Sequence, residues 1–103
     1  MMTANAARGE AGLDVGGQTL RLRPTFAALV AAEAELGPLF ALVERAAGGQ
    51  LKLAELAALF WHCLDGAPAG LTRENFSESL VAGGLASVTP ALRVLLGQVL
   101  AGR

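Results

Sequence analysis

Residues 10–23 read EAGLDVGGQTLRLR, and residues 24–36 continue PTFAALVAAEAEL. In the first stretch Leu13, Val15, Leu20 and Leu22 alternate with polar residues, the period of a half-buried strand. Gly16 and Gly17 stand between the two halves and supply the positive φ angles of a two-residue turn. The pattern predicts a β-hairpin with strands over 10–15 and 18–23. A lone hairpin is marginal in water, so it has to lie on helices. From Pro24 the period changes. Thr25 is placed to cap a helix, and Phe26, Leu29, Val30 and Leu36 share one arc of its wheel. That arc is the expected inward face, and Gly37-Pro38 ends the helix.

Four more helices follow. A short one runs from about Pro38 to Ala47, with Leu39, Leu42, Val43 and Ala46 inward, Glu44 and Arg45 outward, and Gly48-Gly49 at its end. The third, about Leu53 to Asp65, is the most apolar. Leu53, Leu56, Leu59, Phe60, Trp61, Cys63 and Leu64 cover more than half of its wheel. Lys52, Glu55, His62 and Asp65 take the rest. An arc that wide implies contact on two sides, either in the centre of the bundle or with one face reserved for a partner. Gly66 to Gly70 is a loop. Thr72 caps the fourth helix, with Leu71 and Phe76 at hydrophobic-staple spacing. Its end, Leu80 to Leu85, fits a stop with Gly84 left-handed and Leu85 folded back. Thr89 and Pro90 open the last helix, whose stripe is Val88, Leu92, Leu95, Leu96, Val99 and Leu100.

The expected fold is therefore mainly α (α+β): an N-terminal β-hairpin packed on about five short helices. Leu56, Phe60, Leu64, Leu92, Leu95 and Val99 are the expected core. The chain has 103 residues, enough for one domain, here 9–103 behind a loose tail over 1–8. It is 53% hydrophobic and 17% charged, which argues against disorder. Alanine and leucine supply 40 residues, which favours helix. The net charge of −1 offers no phosphate-gripping surface. One cysteine excludes an internal disulfide. Met1 to Ala11 has no apolar targeting core, and no run of about 18 apolar residues spans a bilayer. Cytoplasmic residence is the expectation.

Chemistry is sparse. Trp61-His62-Cys63 places a thiol beside an imidazole, but adjacent helical residues point about 100° apart. A small buried cysteine and a solvated histidine are expected, with no thiolate catalysis and no single-chain metal site. Glu33 and Glu35 diverge on their helix, and Glu74 and Glu78 are a solvated pair on an outer face. Glu33 differs because it falls within the apolar stripe. A carboxylate there has to be paired, neutralised or exposed. The structural reading is a salt bridge to Arg21 or Arg23, or a stripe edge reaching solvent. The functional reading is a polar anchor in a partner groove. Trp61 lies at the rim of the third helix's apolar arc, where large aromatics often anchor partners. The alternative is that the hairpin or another helix covers it. Gly16-Gly17 and Gly83-Gly84 do not form phosphate loops. No catalytic residue, cofactor, metal or small-molecule substrate is expected.

The order of pieces resembles a small-protein family of bacterial gene transfer agents and related phages. That family is grouped with tail assembly chaperones and sometimes labelled a tail tube protein. The stretches that carry the resemblance are LDVGGQTLRLRPTF, AALVAAEAELG, RAAGGQLKLAELAALFWHCL and SLVAGGL, and it covers about residues 9–101. It implies a non-enzymatic role in the bacterial cytoplasm: holding the helical tape measure protein until the tail tube polymerises. It leaves open whether the protein stays in the finished particle. A structural tube role fits less well, since tube subunits are generally β-rich and one hairpin is predicted. A helix-turn-helix regulator fits least, because the last helix offers only Arg93 and Arg103 to a phosphate backbone. A homo-oligomer is a further use for surplus apolar surface.

Overall fold

A computed structural model describes residues 10–15, 17–83 and 88–101. β1 (Ala11–Val15) and β2 (Gln18–Leu22) form the expected antiparallel hairpin, with Val15 opposite Gln18 and Ala11 opposite Leu22. Gly17 has φ of +80°, a conformation that glycine adopts without strain; Gly16 lies outside the described residues. The alternation holds: Ala11, Leu13, Val15, Leu20 and Leu22 are buried, while Gly12, Asp14 and Thr19 are exposed.

Among the described residues five helices follow: α1 (Phe26–Leu36), α2 (Leu39–Ala47), α3 (Leu53–Cys63), α4 (Arg73–Ala82) and α5 (Thr89–Ala101). Two caps are as expected. Thr25 Oγ1 accepts from the Ala28 N–H at 3.1 Å, and Thr72 Oγ1 from the Asn75 N–H at 3.1 Å. α1 and α2 meet at 76° across Gly37, whose φ is +84°. The expected stop at Gly84 and Leu85 lies outside the described residues; α4 ends at Ala82, and Gly83 keeps near-helical angles. Among the described residues no single helix is long and apolar enough to cross a membrane.

Three expectations need correction. First, the third helix stops at Cys63, and Leu64–Asp65 form a short strand, β3, antiparallel to β2. The sheet order is β1-β2-β3. A carboxylate in a last helical turn faces the negative end of the helix dipole. As a strand residue Asp65 instead meets the Arg21 guanidinium in an ion pair. The Arg23 N–H donates to the Cys63 carbonyl at 2.7 Å and extends the pairing by one step.

Second, α1 does not bury its expected arc. Phe26 is 85% exposed and Val30 49%, while Ala32 is fully buried. Nine of its eleven residues are apolar, so the wheel alone could not choose a face. The small Ala32 lets the backbone come close to its neighbours, and the bulky Phe26 is left outside. Third, α5 is turned toward Ala91 and Gln98, both buried, and Leu100 is 61% exposed.

The core lies between the inner face of the sheet and the helices. Leu13 and Leu22 join Leu42, Leu59, Phe60, Cys63, Phe76, Leu80 and Leu95 there. Of the expected core residues, Leu56, Phe60 and Leu95 are buried, and Leu64, Leu92 and Val99 are half-buried.

Candidate partner-binding surface

α1 turns two faces to different fates. Ala28, Leu29, Ala32 and Leu36 point toward the core, and α1 packs against α2 and α3. The opposite face carries Phe26, Ala27, Val30, Ala31 and Ala34, all exposed, with Glu33 and Glu35 on its two borders. The uncovered strip is apolar along its length and acidic at its edges. It is the kind of surface that a soluble protein keeps small unless something binds there.

Glu33 reaches solvent, which was one of its two structural readings, but it makes no salt bridge to Arg21 or Arg23. Arg21 is taken by Asp65, and Arg23 Nε lies 3.7 Å from Glu10 Oε2. Instead Glu33 Oε2 accepts from the Leu39 N–H at 3.1 Å. Leu39 is the first residue of α2, and Pro38 before it offers no side-chain cap. The carboxylate of one helix thus caps the next, where an anion also complements the dipole.

Glu35 diverges from Glu33, as the helical spacing requires. It binds the Arg73 guanidinium and also accepts from His62 Nε2 at 2.8 Å. These contacts tie α1 to α3 and α4. The Arg73 hydrogen bond, followed by that of His62, holds the Glu35 carboxyl down to about 2. Two turns back along α3, Arg45 Nη1 donates to Glu55 Oε1 at 2.6 Å. With the Lys52 N–H, it lowers Glu55 to about 2 as well.

His62 and Cys63 separate as expected for neighbours on a helix. The imidazole turns to Glu35. The Cys63 thiol is 1% exposed, and burial pushes it up to about 12, far from a reactive thiolate. Glu74 and Glu78 are both exposed. Among the described residues no group of three His, Cys, Asp or Glu is placed to hold a metal ion.

Trp61 is half-buried. Its ring sits 5.8 Å from that of Phe76 at 48°, so α4 covers part of it. Next along α3 and α4 lies a groove of about 480 Å³, lined by Leu53, Ala54, Ala57, Ala58, Ser77 and Val81 with Arg73 beside them. Leu53 and Val81 are 43% and 47% exposed, so the surplus apolar arc of the third helix does reach the surface.

The comparisons agree with this arrangement of pieces. A family model described as phage tail tube protein, GTA-gp10, matches residues 8–102. The chain belongs to that family. It is a tail-related protein of the gene transfer agent type, and its partners are to be sought among other tail proteins. No curated protein and no solved structure matches the chain.

The sequence reading singled out Glu33 and Trp61. The structure puts Glu33 at the border of the α1 strip and Trp61 between α3 and α4, and it does not bring them together in one contact. Phe26 and Val30 were missed as surface residues because they were assigned to the core. The Glu35–His62–Arg73 cluster was missed because its members are 27 and 38 residues apart. Only the odd placement of charges on two otherwise apolar helices hinted at it.

Proposed function

We propose that this protein is a non-enzymatic tail assembly chaperone, acting in the bacterial cytoplasm. It would bind helical segments of the tape measure protein before the tail tube polymerises. The observation that carries this reading is the apolar surface left uncovered on helices: Phe26 and Val30 on α1, and Leu53 and Val81 beside the α3–α4 groove. A helix with an unburied apolar stripe buries that stripe by laying it against such a face. Glu33 would then meet a donor at the edge of the α1 strip, and Trp61 would contact the partner at the rim of α3.

Co-expression with the tape measure protein tests the proposal. The tape measure protein should become soluble and co-purify with this chain, and an insoluble, unbound tape measure protein would count against it. Trp61 is the only tryptophan. Its emission should shift to the blue on complex formation; an unmoved maximum would remove Trp61 from the interface.

The family description favours a second reading, a structural subunit of the tail tube. The two separate in the finished particle: a tube subunit is retained there in many copies, and a chaperone is not.

A further inference from the structure

We propose that the free edge of β2 is a docking slot for an extended, uncharged segment of a partner chain. β1 pairs β2 along its whole length, but β3 pairs only Arg21 and Leu22. After Asp65 the chain leaves the sheet at Gly66, whose φ is +69°. Among the described residues, Gln18–Leu20 therefore have a strand on one side only.

The backbone polarity of that edge follows from one observed bond. The Arg23 N–H points to the β3 side, where it meets the Cys63 carbonyl. Alternate residues of a strand turn their N–H and C=O to the same edge, so Arg21 and Thr19 face the same way. Arg21 finds Asp65 there. Thr19 faces no strand among the described residues, and its N–H and C=O form a template for one more.

A groove of about 480 Å³ adjoins this edge; it runs from Gly12 of β1 across Thr19 and Arg21 to Asp65, Gly66 and Pro68, so it lies over the outer face of the sheet as well as beside β2. Pro68 has no N–H to offer the edge. Arg21 Nε is buried with no hydrogen-bond acceptor, whereas buried donors are normally paired. A carbonyl of an incoming chain would serve it. Arg21 and Asp65 neutralise one another, and the Asp14 carboxylate beside them accepts from Thr19 Oγ1 at 2.7 Å, so the slot disfavours an acidic segment and an uncharged one meets no repulsion. The proposal uses neither the α1 strip nor the α3–α4 groove, so it stands apart from the helix-binding reading above.

The test is a titration of ¹⁵N-labelled protein with the blocked peptide acetyl-Thr-Val-Thr-Val-Thr-Val-amide. The Thr19 amide proton should shift downfield in a saturable way and exchange at least tenfold more slowly. The Leu20 amide, which faces β1, should move far less. A peptide N-methylated at every amide should bind at least tenfold more weakly. Thr19→Pro removes the edge N–H and should have the same effect, while Thr19→Val keeps it and should bind like the parent. If Thr19→Pro does not fold, the methylated peptide still decides. An unmoved Thr19 amide at millimolar peptide, or equal binding of the methylated peptide, would overturn the proposal. So would protection of Thr19 that rises with protein concentration alone, which would mean that a second copy fills the slot.

Discussion

The hairpin and α1 are adjacent in the chain and both rich in apolar residues, yet they treat them differently. In the hairpin the apolar residues alternate with others, and the five of them in this register, Ala11, Leu13, Val15, Leu20 and Leu22, are all buried. In α1 nearly every residue is apolar, and only Ala32 is fully buried, while Phe26 and Val30 stand in solvent. Alternation specifies a face because a one-residue slip would turn the whole apolar set outward. A helix that is apolar all round specifies nothing by itself. Its neighbours choose the face, and here they take the one with the smallest side chain.

The sharpest way to break this comparison is to truncate both regions. Leu22→Ala removes a fully buried side chain and should cost about 2–5 kcal/mol in denaturant unfolding. Phe60→Ala, a fully buried side chain of α3, should cost about 3–5 kcal/mol. Phe26→Ala should stay within about 0.5 kcal/mol of the parent. Comparable losses at Leu22 and Phe26 would mean that α1 is turned inward after all.

A smaller effect is expected at Glu33. Glu33→Ala leaves the Leu39 N–H without its acceptor and should cost about 1 kcal/mol. Glu33→Gln keeps an acceptor and should recover much of that. Equal losses for the two would show that the charge, not the cap, matters.

The hairpin to within a residue at its outer ends, the presence and order of the five described helices, and the Thr25 and Thr72 caps were legible in the sequence, because each depends on residues within a few positions of one another. What was not legible depends on distance. β3 pairs Leu64 and Asp65 with Leu22 and Arg21, and Asp65 lies 44 residues from Arg21. The α1 face depends on how closely α3 can approach Ala32. Of the alternatives for Glu33, the stripe edge reaching solvent holds and the salt bridge to Arg21 or Arg23 does not; its partner is the Leu39 N–H. Periodicity shows which residues could be buried together, not which helix comes to cover them.

Acid titration gives a gentler contrast between the helical region and the hairpin. Glu35 and Glu55 are both held at about 2 in the folded protein, below the ordinary 4.5. A depressed carboxyl contributes stability that is complete above the unfolded value and is lost as pH falls toward the folded one. Stability should therefore decline between about pH 4.5 and 2, and only modestly, because both pairs are reached by solvent. Glu35→Gln should flatten part of that decline in unfolding curves taken across this range. An unchanged slope would mean that the Arg73 and His62 contacts do not hold in solution.

The most direct test pairs a Phe26→Ser/Val30→Ser variant with the tape measure protein in co-expression. Both side chains are exposed, so the variant should fold with parental stability, checked by its melting temperature. It should nevertheless fail to solubilise or retain the tape measure protein. A stable, folded double variant that still holds the tape measure protein as tightly as the parent would contradict the assignment of the α1 strip as the partner surface.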